Sequence, residues 1–111
     1  MFIAPDENQV KAAAEIGAKF IELHTGSYSR SFGTEQEEIE FNRLLNATKL
    51  AQSLGLTVNA GHGLDYKNVY RMHEIPNLHE LNIGHSIISR AIFVGIETAV
   101  KEMYEIVNKN S

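Results

Sequence analysis

Apolar positions recur along the chain in two alternating rhythms. From Lys19 to His24 the period is two, with Ile21 and Leu23 on one side and Phe20, Glu22 and His24 on the other. Leu56–Ala60 and Leu78–Ile83 are further short strand-like stretches, and Met1–Ala4 reads as the tail of a buried strand. Between them the period is helical. Val10, Ala13, Ala14 and Gly17 share one face, as do Phe41, Leu44, Leu45, Thr48 and Ala51. A short helix is expected around Val69, Met72 and Ile75, stopped by Pro76. The last helix is expected from about Ser86 to Asn108, with Ile88, Ala91, Ile92, Gly95, Ala99, Met103 and Ile106 on its inner face.

Polar residues punctuate this pattern. Asp6 with Gln9 and Thr34 with Glu37 have the spacing of capping boxes, and Asp65 is placed to cap the short helix. Gly17 and Gly55 are expected helix ends. Residues 25–33 read as a polar loop. The order is thus (β)-α-β-α-β-α-β-α, an α/β chain whose strands should run parallel with right-handed crossovers. No linker or low-complexity tract divides residues 1–111. Four such units make half of a (β/α)₈ TIM barrel, which typically has roughly 250 residues. An isolated half would expose two sheet edges and one sheet face, so the chain is expected to be part of a larger object.

The chemistry gathers where strands end. Phe20–Gly26, Val58–Gly63 and Leu81–His85 each run from a strand into a His flanked by Gly or Thr, and in parallel α/β folds that edge carries the site. Glu22, near a strand's carboxyl end, reads as a carboxylate aimed into the barrel mouth or as half of a structural ion pair. His62, between Gly61 and Gly63, suits proton transfer near neutrality; the alternative is a loop imidazole bonded to a neighbouring strand. Gly84-His85-Ser86 joins the last strand to the last helix, where free N–H groups bind anions, and Ser86 would cap that helix. His24 lines the pocket or orders its loop. Asn59 and Asn82 are expected to hydrogen-bond inside the barrel in support of the site, while His73 and His79 read as structural. Arg30 has only its loop position to recommend it as a phosphate ligand. Convergence of His24, His62 and His85 on a metal is the weaker alternative, because no element carries paired ligand spacing.

Composition narrows the classes. Ten basic residues against fourteen acidic ones, net −4, leave no basic stripe for nucleic acid. There is no Cys, so disulfides and thiolate metal sites are excluded and a reducing, cytoplasmic location is expected. No apolar run reaches the roughly 18 residues of a membrane span, and the N-terminus lacks the features of a signal peptide.

The strings Phe-Ile-Glu-Leu-His-Thr-Gly (20–26), Val-Asn-Ala-Gly-His-Gly-Leu (58–64) and His-Glu-Leu-Asn-Ile-Gly-His-Ser-Ile-Ile (79–88) resemble the pyridoxine 5′-phosphate synthase family of vitamin B6 synthesis. The resemblance runs from Met1 to about Met103. It implies the carboxyl-terminal half of a TIM barrel, from a partial fifth strand to the eighth, in a transferase assembled as a homo-octamer without metal or organic cofactor. It further implies condensation of 3-amino-2-oxopropyl phosphate with 1-deoxy-D-xylulose 5-phosphate to give pyridoxine 5′-phosphate, phosphate and water. Motif by motif, Glu22 matches the family's transition-state-stabilising carboxylate and His62 its proton donor. Gly63 matches a substrate contact, and Gly84 with His85 the phosphate loop. The family's other catalytic His and Glu and its phosphate-gripping Arg residues belong to the first half and have no counterpart here, so these residues alone are expected to be inactive. Competing readings are another phosphate-handling barrel of the aldolase or isomerase type, which would want a strand-end Lys, and a non-catalytic half-barrel assembly module.

Overall fold

A computed structural model describes residues 2–108, apart from the side chains of His85, Ser86 and Ser89. Its strands are β1 (Phe2–Ile3), β2 (Phe20–His24), β3 (Thr57–Gly61) and β4 (Leu81–Asn82). They form one sheet in the order β1-β2-β3-β4, with every neighbouring pair parallel. Helices α1 (Glu7–Glu15), α2 (Gly26–Ser31) and α3 (Glu37–Ser53), a 3₁₀ helix (Val69–Glu74), and helices α4 (Gly84–Val94) and α5 (Ile96–Val107) connect and follow the strands. Sequential parallel order with helical connections is the architecture of half a (β/α)₈ barrel.

Alternation along the strands sorts the two faces. Ile21, Leu23, Val58 and Ala60 are buried, and the first three join Val10, Ala13, Leu44, Ala51 and Leu56 in the core beneath the helices. Phe20 and Phe2, on the opposite face, are more than half exposed. In a closed barrel that face would be the interior. The radius of gyration, 14.3 Å, exceeds the roughly 13 Å expected of a closed domain this size.

Several local expectations change in detail. Asp6 caps α1 by accepting from Asn8 N–H (3.1 Å), but Gln9 reaches back to Ala4 N–H (3.0 Å) rather than to the cap itself. Thr34 and Glu37 stand two positions ahead of a capping box: Gln36 is the N-cap and α3 begins at Glu37, whose carboxylate accepts from Gly33 N–H at 2.9 Å. The stretch read as a loop at 25–33 contains α2. Its turn is closed by local bonds, Ser29 N–H to Thr25 O (2.9 Å) and the Ser31 hydroxyl to Tyr28 O (2.9 Å), which an apolar-periodicity reading does not register.

The short helix after Asp65 is 3₁₀, entered through a reciprocal turn in which Asp65 accepts from Asn68 N–H and Asn68 from Asp65 N–H, both 2.8 Å. β4 is regular only at Leu81–Asn82, although pairing begins earlier through His79 N–H to Val58 O (2.8 Å). The single final helix is two. Gly95 takes φ 86° and ψ 153°, outside the helical region, and resets the helical phase. Ala99 and Met103 of α5 are therefore buried as expected, whereas Ile88 and Ile92 of α4 are exposed.

Candidate active site

Three strand ends meet at one level. His24 pairs with Gly61, and Gly61 with Asn82, so the loops after β2, β3 and β4 leave the sheet side by side. Of the residues singled out in the sequence, Glu22, His62, Gly63 and Gly84 line one cleft of about 530 Å³, together with Phe2, Asn82 and Ile83. His85 is at the same edge by its place in α4, but its side chain lies outside the described residues.

His62 follows β3 directly and has φ 87°, a left-handed conformation uncommon for a residue with a side chain. Such strain persists where neighbours hold it. Here the fully buried Thr25 donates its hydroxyl to His62 O at 2.5 Å, and its N–H bonds Gly61 O at 2.8 Å. Ser29 adds a weaker bond to the same His62 carbonyl at 3.5 Å. Gly63, at φ 76°, packs against Ser29 so closely that a Cβ would lie 2.7 Å from the serine Oγ.

The His62 ring stacks on His24, with centroids 4.3 Å apart and planes 25° from parallel, and Phe2 meets His24 edge-on at 5.1 Å. His24 Nδ1 accepts from Gly26 N–H at 3.1 Å. Burial, with His62 and Arg30 acting in the same direction against the pull of Glu22, holds the His24 imidazole below its ordinary pKa. Of the two expectations His24 meets the second: it orders its own loop and stacks behind His62, and it is not among the residues that line the cleft. Two rings stacked face to face are not two ligands converging on an ion, and among the described residues no group of three or more His, Asp or Glu could hold one.

Glu22 makes no ion pair among the described residues; its carboxylate accepts from Asn82 Nδ2. Asn82 therefore does bond inside the barrel face, as expected. Asn59, beside Glu22 on the paired strand, leaves its buried Oδ1 without a partner among the described residues. Gly84 opens α4, two residues ahead of Ser86, so Ser86 is not the cap; Ile83 holds that position and offers no side-chain bond. A Cβ at Gly84 would meet nothing within 4 Å, leaving its backbone open to approach. Arg30 is exposed on α2 and donates to Ser27 Oγ at 3.3 Å, off the cleft. His73 is structural as expected, its Nε2 2.9 Å from Ile106 O.

Sequence reasoning missed Phe2 and Thr25, and noted Gly61 only as a neighbour of His62, whereas it ends β3 beneath the Glu22–Asn82 contact. A larger groove of about 730 Å³ lies between Tyr66, Arg90 and Glu102, where Arg90 and Glu102 neutralise each other at 3.0 Å.

Comparison with known proteins bears on this cleft. The sequence profile of the family described as "Pyridoxal phosphate biosynthesis protein PdxJ" matches residues 1–109. A Geobacter sp. protein named pyridoxine 5′-phosphate synthase is 51% identical over 107 residues, covering 96% of this chain and 45% of its own length. A like-named Synechocystis sp. protein is 54% identical over 103 residues, 93% of this chain and 43% of its own. One from Akkermansia muciniphila is 52% identical over 112 residues, all of this chain and 45% of its own length. The chain thus spans a little under half the length of these relatives.

Proposed function

Because this chain belongs to the PdxJ family of pyridoxal phosphate biosynthesis proteins, we propose that it supplies half of a pyridoxine 5′-phosphate synthase site. In this reading residues 1–111 are the carboxyl-terminal half of one TIM-barrel domain, completed by an amino-terminal half into a cytoplasmic homo-octamer of whole barrels. The reaction joins 3-amino-2-oxopropyl phosphate to 1-deoxy-D-xylulose 5-phosphate and releases pyridoxine 5′-phosphate, phosphate and water. The observation that carries the proposal is the shared cleft: Glu22, His62, Gly63 and Gly84 arrive from three different loops or strands at one opening.

Each residue then has a chemical task. Imine formation, dehydration and loss of phosphate all move protons, and His62 is the proton donor to the reacting chain. Glu22 stabilises the positive charge that develops on the way. Gly63 lets the substrate approach the backbone. Gly84 and His85, at the start of α4, take the phosphate, because the first N–H groups of a helix lack intrahelical partners and attract anions. A phosphate anchor also holds a flexible sugar chain in reacting position. Schiff-base chemistry of the aldolase type has less support, since β1–β4 end at Ile3, His24, Gly61 and Asn82 rather than at a Lys.

The test is made in the full-length enzyme carrying these residues. His62→Ala should lower kcat by about 10²–10⁴-fold while phosphate binding survives. Gly84→Val should raise KM by closing the open backbone. Unchanged turnover in the first variant removes His62 from the chemistry, and normal affinity in the second moves the phosphate elsewhere.

A further inference from the structure

Glu22 and Asn82 stand on strands that do not pair with each other, because β3 lies between them. Asn82 Nδ2 nevertheless donates to Glu22 Oε1. The contact passes over the inner face of β3 at Gly61, the residue paired with Asn82. A Cβ on Gly61 would lie 2.7 Å from Asn82 Cβ and 3.0 Å from Glu22 Oε2, too close for either to stay where it is. Glycine weakens a strand interior. Here its missing side chain is the gap through which an amide on one strand reaches a carboxylate two strands away.

We propose that Asn82 is a positioning residue for Glu22, and that Gly61 is the clearance this role requires. The inference rests on the reading of Glu22 as the charge-stabilising carboxylate. Among the described residues the Asn82 bond is the one hydrogen bond the carboxylate makes, so it sets the rotation of the group. An amide is suited to this task because it donates without ionising. It steers the carboxylate and leaves the protons to other groups. Asn82 and Glu22 both line the cleft, so the direction fixed by the bond is a direction toward bound substrate.

Steady-state kinetics of four variants in the full-length enzyme test this, with thermal melting as the check on folding. Asn82→Ala and Gly61→Ala should each lower kcat by up to about 10²-fold, as misplacement of a catalytic group does, with little change in KM. Asn82→Asp keeps the shape but sets a second carboxylate against Glu22, so its residual activity should fall as pH rises and like charges form. It also carries the test if Asn82→Ala does not fold.

The fourth variant, Glu22→Gln, separates the two levels of the argument. If it is crippled while Asn82→Ala or Asn82→Asp turns over normally, the positioning role is wrong and the reading of Glu22 stands. If Glu22→Gln itself turns over normally, the reading of Glu22 falls and this inference with it.

Discussion

At the scale of single residues, the site depends on groups held in conformations they would not choose alone. His24 is the example with a pH consequence. Its Nδ1 must stay unprotonated to accept from Gly26 N–H, and burial, His62 and Arg30 lower its pKa in the fold. The folded chain therefore binds fewer protons here than the unfolded chain. The stabilisation is complete above the ordinary imidazole value of about 6.5 and is lost as pH falls below it toward the lowered value. In the full-length enzyme, the melting temperature should drop between about pH 8 and pH 5, and drop less in His24→Gln. An equal drop in both would assign the acid sensitivity to other groups. Glu22 and His62 stood out in the sequence, because a His between glycines and a Glu inside a strand are both unusual, and both line the cleft. Thr25 did not. A threonine bonding a carbonyl thirty-seven positions away has no local signature.

At the scale of elements, periodicity located all four strands and the long helices, and it failed where backbone chemistry overrides side-chain spacing. Gly95 breaks one apparent helix into two, and local serine and threonine bonds build α2 from a polar stretch. The other feature invisible in sequence is the tie between α3 and the 3₁₀ helix. The buried Arg71 bonds Glu37 at 2.7 Å, Glu38 at 2.9 Å and Glu74 at 3.2 Å, and its guanidinium lies 3.8 Å from the centre of the Phe41 ring. Burial alone would lower its pKa, and the three carboxylates more than reverse that. Because two of those carboxylates are well exposed, losing Arg71 strands little buried charge. Arg71→Ala should destabilise by about 2 kcal/mol, chiefly through lost packing on Phe41 and the bond to Glu37. Chemical denaturation of the full-length enzyme checks this. An effect within about 0.5 kcal/mol, the range of ordinary surface changes, would make the network ornamental.

At the scale of the whole molecule, the half-barrel was legible because four β/α units are countable, and what covers its open side was not. The inner sheet face carries exposed Phe2 and Phe20, and β1 and β4 each present an unpaired edge among the described residues. Helices α4 and α5 expose further apolar side chains, Ile88, Ile92, Phe93, Ile96, Val100 and Tyr104, with Ile92 80% and Phe93 83% exposed. Apolar patches and bare edges of this kind drive association. Residues 1–111 expressed alone should self-associate in sedimentation and show no turnover, and co-expression with the amino-terminal half of a relative should restore both solubility and activity. A monomeric, cooperatively melting, active 111-residue protein would contradict the whole-barrel proposal.

The bonds from Thr25 and Ser29 to the His62 carbonyl have a last consequence, for motion. They fasten the turn after β2 to the turn after β3, and Gly63 is pressed against Ser29 beneath them. Two segments joined in this way should move together rather than swing apart. They are a floor. On the proposed function, a lid closing on a bound phosphoester would be drawn from the other loops of the completed barrel, and the timing of product release would be set there.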